Sequence, residues 1–415
     1  MIKRIISFLL ISLFISYVYA DELEIVKKGN VSRTNLVDTG VTLFNDDVWV
    51  WGYRDGGLSG NGKTLVIEWK PPERVSFFVN HGLKISQVTG GIYHIIALDK
   101  NGDVWGWGQN GYRQADGKQC ASGPIKTPCR VLQGKDVIQI GAGEYVSYAL
   151  TKNGEVYAWG HGIYGQIGNG LKKASNGVYK IPQIYFGNKK VVMIGSAYEG
   201  GYAINDAGEV YGWGDEQSNS FGYQNKANHI YATTPKKLNI PTNGNDIIYI
   251  CGGEAFTEYL TKDGTVYGMG QKTKLGIGAW YSDTTSRTGN KEVIKIITNV
   301  QELYCRYAGS AAIKRNDDKH IYTWGSNLSN DPFYIYSSAV ATRDIKGKLY
   351  RLDGGKENLY YWNDDGQYFG VGYGAGHKFG PDWNKKMWWP GKEMPFLTNA
   401  ITNTYSRSTI AEDVN

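Results

Sequence analysis

The sequence is poor in long apolar runs, in cysteine and in charge. Its 415 residues include 4 cysteines and 20% charged side chains, and only residues 1–20, MIKRIISFLLISLFISYVYA, hold an extended apolar run. Lys3 and Arg4 precede that run and Ala20 ends it, a pattern typical of a secretory signal peptide. We therefore predict a signal peptide over residues 1–20. A membrane anchor is the alternative, although the run is shorter than the ~20 residues that a span needs.

The scarcity of charge and of other apolar runs excludes two classes of partner. No later segment is long and apolar enough to predict an integral membrane span. The net charge is +6, and the basic residues form no cluster. Neither nucleic acid nor an anionic membrane is therefore expected as a partner.

Motifs of common enzymes and metal sites are also missing. The chain has no G-x-S-x-G elbow, no Walker loop and no H-E-x-x-H. Neither cysteine pair has a second Cys or His at zinc-ligand spacing. We interpret His94 as a structural residue, and His161, after a Trp-Gly pair, as a loop-surface residue and a weak candidate for a site. The sequence predicts no catalytic residue, no metal and no cofactor.

Glycine, tyrosine and tryptophan are abundant, and they recur in a pattern. The chain has 55 Gly, 31 Tyr and 13 Trp, and seven short strings such as VYAWG end at Gly52, Gly108, Gly160, Gly214, Gly270, Gly325 and Gly372. Successive glycines lie about 53 residues apart, which indicates a repeat fold.

Each repeat has the same internal order. A small-residue pair such as Gly90-Gly91 precedes a strand, and Asn-Gly or Asp-Gly then supplies a two-residue turn before the aromatic-Gly strand. Another apolar run lies upstream of the small-residue pair. The four strands per repeat predict an all-β, seven-bladed β-propeller with four antiparallel strands per blade.

The two ends of the chain are expected to meet in the closing blade. Residues 395–410 are typical of the upstream strands of a repeat, whereas 48–52 is an aromatic-Gly strand with little before it. We predict one propeller domain over 21–415, in which 21–37 is an extra strand or an N-terminal arm and 373–415 is the blade-closing tail.

The repeat resembles the regulator of chromosome condensation repeat, which is a seven-bladed β-propeller. The pattern G-x-x-H-x-x-A-L, D-G, V-x-x-W-G and G-Q-hydrophobic-G carries this resemblance, at Gly91, His94, Ala97, Leu98, Gly102, Val104, Trp107, Gly108, Trp159, Gly160, Gly165, Gln166, Ile167 and Gly168. The chain departs from the pattern at Met269, at Val371 and in the hairpin at 317–319. With its signal-like start, it resembles a secreted bacterial-type member, such as those that inhibit β-lactamases.

The four cysteines fall into two pairs, and the sequence predicts a disulfide for only one of them. Cys120 and Cys129 lie in a Gly- and Pro-rich loop, QCASGPIKTPC, and we predict a local disulfide between them. Cys251 and Cys305 fall one position apart in equivalent strands of consecutive repeats. They either pair or are small buried residues.

Aromatic residues outside the repeat positions are candidates for partner binding. Such side chains dominate interface energetics, particularly beside positive charge. The candidates are Trp280, Tyr281, Trp383, Lys385, Lys386, Trp388 and Trp389. The alternative for Trp388 and Trp389 is that they cap the closing blade.

These features together predict an exported, non-enzymatic recognition module. Its partner is expected to be a protein or a glycan at the cell surface or outside the cell, which it binds as an adhesin-like or inhibitor-like factor. The periplasm is an alternative location, and the chain acts as a monomer or as a subunit of a surface assembly. The alternatives are an enzyme built in the central funnel and, by the family resemblance, guanine-nucleotide exchange on a small GTPase.

Overall fold

The computed structural model describes most of the chain between residues 33 and 393. The described ranges are 33–34, 39–44, 46–52, 54–63, 70–120, 122–217, 220–221, 229–277, 289–307, 309–326, 335–341, 347–354, 358–363, 367–373 and 386–393. The signal-like stretch 1–20 and the segment 395–410 lie outside the described residues. No helix in the described ranges is long and apolar enough to cross a membrane.

The described residues form 28 strands in six sheets. One sheet has three strands: β2 (Thr39–Phe44), β3 (Asp47–Gly52) and β4 (Lys70–Arg74). Four sheets have four strands each: β9–β12 (Val137–Ala142, Val146–Thr151, Val156–Gly160, Tyr179–Ile181), β13–β16 (Val191–Ala197, Gly200–Asn205, Val210–Gln217, His229–Lys237), β17–β20 (Ile247–Gly253, Phe256–Thr261, Val266–Gln271, Gly289–Ile297) and β21–β24 (Val300–Cys305, Gly309–Lys314, Asp317–Ser326, Ile335–Ala341).

The sixth sheet has nine strands. It contains β1 (Arg33–Thr34), β5–β8 (Ile85–Gly90, His94–Asp99, Val104–Gly108, Ile125–Leu132) and β25–β28 (Leu349–Gly354, Asn358–Asn363, Tyr368–Tyr373, Lys386–Glu393). The helical elements are α1 (Ser76–Asn80) and 3₁₀ turns at Asp55–Gly57, Gln183–Phe186 and Gly244–Asp246.

The propeller with four antiparallel strands per blade is confirmed, but seven separate blades are not found. β1 pairs in parallel with both β5 and β25, through Arg33↔Thr89 and Arg33↔Gly354, and so joins two antiparallel four-stranded runs into one sheet. This pairing is the physical reason for six sheets instead of seven. The predicted sharing of a closing blade with residues 395–410 is not confirmed.

The innermost strands of successive sheets pack side by side. β5 contacts β9, β9 contacts β13, β13 contacts β17 and β17 contacts β21. Glutamine side chains fasten two of these junctions: the Gln87 side chain bonds the carbonyl of Ile138 at 2.9 Å and the N–H of Ile140 at 3.1 Å. Gln139 bonds the carbonyl and N–H of Ile194 in the same way, at 2.7 and 2.9 Å.

The aromatic-Gly motifs form the third strands and seal the junctions between neighbouring sheets. Trp107 Nε1 donates to the carbonyl of Leu58 at 3.1 Å, and Trp213 Nε1 donates to that of Gln166 at 2.9 Å, each in the preceding repeat. Trp51 packs edge-on against Tyr360 and Tyr368, so the first sheet contacts the last strands. The buried indole therefore fills the space between adjacent sheets, as the sequence predicts.

The glycine of each motif is required by the backbone. Gly108, Gly160, Gly214 and Gly270 have φ between 103° and 116°, a region that L side chains rarely adopt. The chain turns away from the sheet at this point, which directs the following residue toward the loops that join first and second strands.

Both cysteine pairs are disulfides. The predicted Cys120–Cys129 bond is confirmed, and Cys251 also bonds Cys305. The second bond links β17 to β21, the innermost strands of two successive sheets. The alternative of two buried free cysteines is therefore wrong.

Candidate protein-binding face

The predicted partner-binding residues fall only partly within the described chain. Trp280, Tyr281, Trp383 and Lys385 lie outside it. Lys386, Trp388 and Trp389 belong to β28, the last strand, in which Lys386 pairs with Tyr373. Their role in binding stays a prediction.

A different cluster forms where first strands connect to second strands. The loops at 91–93, 143–145, 198–199, 254–255 and 306–307 follow the innermost strands, and backbone bonds link loops of successive sheets. The N–H of Ile92 donates to the carbonyl of Glu144 at 3.0 Å, that of Glu144 to Tyr198 at 2.6 Å, and that of Glu254 to Tyr307 at 2.9 Å. These bonds bring the loops to one face of the propeller.

The small-residue pairs are what allow the loops to approach so closely. A Cβ atom at Gly143 would lie 2.7 Å from the carbonyl oxygen of Ala197 and 2.8 Å from that of Tyr198. A Cβ at Gly253 would collide with the carbonyl oxygens of Arg306 and Tyr307. The repeated glycine is thus the sequence signal for this ring of loops.

Residues that follow the aromatic-Gly motif join the same face. The N–H of His161 donates to the carbonyl of Tyr145 at 2.8 Å, and the N–H of Asp215 donates to that of Glu199 at 2.9 Å. The ends of the third strands therefore lie beside the loops that join the first and second strands.

The side chains of this face are mainly tyrosines and carboxylates. We name it the tyrosine–carboxylate face and define it by Tyr93, Tyr112, Glu144, Tyr145, His161, Tyr164, Tyr198, Glu199, Asp215, Tyr231, Glu254 and Tyr307. The rings contact one another in pairs: Tyr112–His161 at 4.4 Å, Tyr164–Tyr231 at 5.3 Å and Tyr198–Tyr307 at 4.8 Å between centroids. Tyr112 is 43% exposed, so it is available to a partner.

Burial and neighbouring carboxyl groups raise the pKa of Glu199 on this face. Burial, and then the charges of Asp215 and Glu144, raise the pKa of Glu199 to about 8, and Glu199 also forms hydrogen bonds with both groups. Burial and a hydrogen bond to Glu144 raise the pKa of Tyr198 far above its ordinary value. The pKa of Tyr307 is raised by burial and by a hydrogen bond to Glu254. The tyrosines therefore remain neutral hydrogen-bond donors at physiological pH.

Neither histidine considered from the sequence forms a catalytic arrangement. His94 is fully buried with its Nε2 2.9 Å from Ser147 Oγ, and burial lowers its pKa to about 3, in agreement with a structural role. His161 is buried among tyrosines, with 7% of its surface exposed, so the interpretation as a loop-surface residue is wrong. Within the described ranges no three His, Cys, Asp or Glu side chains form a group that fits a metal ion.

The sequence reasoning missed this face because it looked for aromatics outside the repeats. The residue after the pair that ends each innermost strand is Ile92 after Gly90-Gly91, Glu144 after Ala142-Gly143, Tyr198 after Ser196-Ala197, Glu254 after Gly252-Gly253 and Tyr307 after Cys305-Arg306. An alignment of the repeats would have revealed this acidic and aromatic position next to one that is usually small, as at Gly143, Ala197 and Gly253.

Comparison with known proteins identifies the repeat. Residues 85–114 and 137–166, and also 153–203, match the Regulator of chromosome condensation (RCC1) repeat. The human E3 ubiquitin-protein ligase HERC2 is 27% identical over 377 residues, which are 84% of this chain and 7% of that protein. The Ultraviolet-B receptor UVR8 of Arabidopsis thaliana is 26% identical over 234 residues, 56% of this chain and 51% of that protein. The chain thus spans a small part of HERC2 and about half of UVR8.

Two solved structures share the fold. The yeast RCC1 protein Prp20, bound to Kap60, superposes with a TM-score of 0.67 at 18% identity, over 89% of this chain and 85% of that one. Human WBSCR16 superposes with a TM-score of 0.65 at 20% identity, over 79% and 85%. All four of these proteins are eukaryotic, so they do not support a secreted bacterial-type member. The matched residues, 85–114 and 137–203, and the propeller architecture make the chain similar to proteins of the RCC1 repeat family.

Proposed function

We propose that this chain is a recognition module that binds a protein partner through the tyrosine–carboxylate face. The observation that carries the proposal is the concentration of tyrosines on one end of a closed scaffold. Tyrosine is enriched at protein interfaces because its ring contributes a large contact area and its hydroxyl group forms hydrogen bonds. Exposed Tyr112 and half-buried Tyr145, Tyr164 and Tyr231 provide such groups.

The scaffold supports recognition because it holds these loops in fixed positions. The loop backbones bond one another, and buried tryptophans and glutamines fasten the sheets beneath them. Preformed loops lose little conformational entropy on binding, which favours affinity. The proposal therefore requires no catalytic step.

We further propose that the protein is exported and acts at the cell surface or outside the cell, as an adhesin-like or inhibitor-like factor. The signal-like residues 1–20 support export. Two disulfides are typical of an oxidising compartment. A glycan partner is the alternative, since tyrosine rings also stack on sugars.

Site-specific crosslinking tests the proposal. A photoreactive amino acid at Tyr112 is compared with one at Ile184, which is 65% exposed and lies beyond β12, whose Ile181 pairs with Val156 at the far end of β11 from Gly160. We expect a partner protein to crosslink at position 112 and not at 184, and Tyr164→Ala to reduce the yield. Equal crosslinking at both positions, or none at 112 while 184 reacts, would contradict the proposed face.

Nucleotide exchange on a small GTPase is a second candidate. The fold resembles that of Prp20, a protein characterised by its binding to Gsp1p and histones, at 21% identity and a TM-score of 0.63. Stimulation of nucleotide release from a Gsp1p-type GTPase by the purified chain would favour this candidate. An unchanged release rate would exclude it for that GTPase.

A further inference from the structure

The imidazole of His161 lies nearly buried among three tyrosine rings. Only 7% of the residue is exposed. Its ring centre lies 4.4 Å from that of Tyr112, 5.8 Å from that of Tyr164 and 6.2 Å from that of Tyr145. We name these four residues the His161 site. The imidazole is its floor, and the three phenol rings, of which Tyr112 is the most exposed, surround it.

Hydrogen bonds determine which nitrogen of this imidazole carries the proton. Gln166 Oε1 accepts the backbone N–H of Tyr164 at 2.9 Å, so the other end of the Gln166 amide, Nε2, is a donor. Gln166 Nε2 lies 3.2 Å from His161 Nδ1, which therefore accepts and carries no proton. Burial also lowers the pKa of His161. The ring is thus neutral at pH 7, with its proton on Nε2.

The proton on His161 Nε2 has no acceptor among the described residues. There the only hydrogen bond of the His161 side chain is the one between Nδ1 and Gln166. Nε2 is not one of the fully buried atoms that lack a partner, as His94 Nδ1 is. It therefore opens to the surface between the tyrosine rings. A donor on a nearly buried ring is costly without an acceptor, so this N–H points to a ligand that accepts from it.

The tyrosines around His161 add further donors. Within the described part of the chain, the hydroxyl groups of Tyr112, Tyr145 and Tyr164 form no hydrogen bond. Burial, and then the charge of Glu144, raise the pKa of Tyr145 to about 12, so its hydroxyl group keeps its proton. The carboxyl group of Glu144 is itself hydrogen-bonded to Tyr198 and Glu199. The His161 site therefore presents donors and aromatic rings rather than free acceptors.

A proline-rich segment has the complementary chemistry. Each proline offers a carbonyl acceptor and has no N–H donor, so it leaves no donor unpaired against a site that presents donors. The polyproline II conformation makes no internal hydrogen bonds, and such segments dock on aromatic-lined surfaces. An ordinary peptide would bring its own N–H groups to this site. A carboxylate ligand would meet the nearby Glu144 and Glu199, whose charges oppose it.

We propose that the His161 site binds a proline-rich segment of the partner protein, with His161 Nε2 donating to one of its carbonyl oxygens and the tyrosine rings packing on its pyrrolidine rings. This inference rests on the proposed function, because it names the chemistry of the partner segment that docks on the face. One turn of polyproline II is about 9 Å long. It reaches from Tyr112 past His161 to Tyr164, whose ring centres lie 4.4 and 5.8 Å from that of His161.

Titration calorimetry with the full chain and a capped peptide of ten prolines tests the proposal. A capped peptide of ten alternating alanines and glycines is the matched comparison, since it has N–H donors and no preformed conformation. A glucose hexasaccharide tests the alternative of a sugar stacked on the tyrosines. We expect the proline peptide to bind at least tenfold more tightly than either. Equal binding of the alanine–glycine peptide, tighter binding of the sugar, or no binding of the proline peptide at millimolar concentration would overturn the assignment.

Three variants and one matched control locate the binding of the proline peptide. His161→Asn keeps an oxygen that accepts from Gln166 but removes the outer N–H, and should weaken binding about tenfold. Tyr112→Leu removes an aromatic ring and should weaken it about as much, whereas Tyr112→Phe keeps the ring and should retain most of the affinity. Tyr185→Leu makes the same exchange at a half-buried tyrosine next to Ile184, away from the face, and should change nothing. Equal losses for Tyr112→Phe and Tyr112→Leu would contradict packing on the ring.

The outcomes separate this inference from the proposed function. Melting temperatures within a degree or two of the native chain show that each variant is folded, and the exposed position of Tyr112 keeps the test decisive if His161→Asn does not fold. If folded variants at both positions bind the proline peptide like Tyr185→Leu, the His161 site is wrong. If a partner crosslinks at position 112 but no proline peptide binds, the inference fails and the proposed function stands. Peptide binding at the His161 site without any protein crosslinked at 112 supports the proline site and contradicts the proposed function.

Discussion

The stability of this protein should depend on pH through the buried side chain of Glu258. This residue lies on β18, opposite Cys251 of the β17–β21 disulfide, and it is fully buried. Trp324 Nε1 donates to its carboxyl group at 2.7 Å. Burial raises the pKa of Glu258 to about 7, although hydrogen bonds from Ser310 and Trp324 oppose the rise.

The magnitude follows from linkage between protonation and folding. The ordinary pKa of a glutamate is 4.5, so the pKa of Glu258 is about 2.5 units higher in the folded state than in the unfolded chain. At about 1.4 kcal/mol per unit, this gives a contribution of about 3 kcal/mol. The folded pKa is the higher one, so the contribution is fully present below pH 4.5 and is lost as the pH rises through 7.

Glu258→Gln isolates this effect because it keeps the shape of the side chain and removes the charge. The amide oxygen still accepts from Trp324 Nε1, which avoids leaving a buried donor unpaired. We expect little change in the free energy of unfolding at pH 5. At pH 8.5 we expect the variant to be about 3 kcal/mol more stable than the native chain.

Urea denaturation at pH 5 and pH 8.5, with the disulfides intact, measures the difference. Asp206→Asn is the control, since it removes an exposed carboxylate and should shift stability by less than about 0.5 kcal/mol at either pH. A Glu258→Gln variant that is destabilised equally at both pH values would refute a raised pKa. The residue would then contribute only through its hydrogen bonds.

Three further predictions concern the Cys251–Cys305 disulfide, the close approach at Gly143 and the role of Trp388 and Trp389 on the outer strand β28. Replacing both cysteines of Cys251–Cys305 by serine opens a link across 54 positions and should lower the free energy of unfolding by about 4 kcal/mol; an unchanged urea midpoint would contradict the bond. Gly143→Ala should lower the free energy of unfolding by roughly 1–3 kcal/mol, because its Cβ meets two carbonyl oxygens. Gly111→Ala, whose Cβ would have no atom within 4 Å, should leave the stability measured by calorimetry unchanged. Equal effects of the two substitutions would refute the close approach at Gly143. If Trp388–Trp389 are anchors, alanine at either position weakens partner binding by about 2 kcal/mol at constant melting temperature. A loss of roughly 3–5 kcal/mol in stability with retained affinity would indicate capping instead.

The hairpins could be predicted because their signals are local. At Asn153-Gly154 the glycine has the expected positive φ, 85°. The predicted two-residue turn is wrong, however, because Asn153 has no positive φ and the N–H of Thr151 donates to the carbonyl of Glu155, which leaves a three-residue loop, 152–154. The buried Trp159 follows at a constant distance, so repetition reinforced each assignment. The prediction of a β-propeller needed nothing beyond this pattern.

The sheet count could not be predicted because it depends on a two-residue strand. Arg33 and Thr34 carry no periodic pattern, and their parallel pairing joins strands that lie far apart in sequence, at 89–90 and 354. The same limit applied to Cys251 and Cys305. Their positions, one apart in equivalent strands of successive repeats, made pairing conceivable, but only the contact between β17 and β21 decides it.

The candidate face escaped prediction because its residues lie beside structural positions of the repeat. Gly143 is fixed by the need for close approach, while the residue after it faces the loop ring and is free to vary. In this chain that freedom is used for Glu144 and Tyr198, side by side in adjacent sheets. Composition alone shows only that tyrosine is common.

Each repeat separates the residues that hold the fold from the loop residues that face a partner, and this explains how one scaffold supports recognition. Trp213 is held by the preceding repeat, where Gln166 accepts from its Nε1 and Tyr148 packs against its ring, so its position is determined by packing. Half-buried loop residues such as Tyr145 contribute less to the core than the tryptophans do, and we expect substitutions there to cost the fold little. A repeat protein of this kind can therefore change partners by replacing loop residues alone.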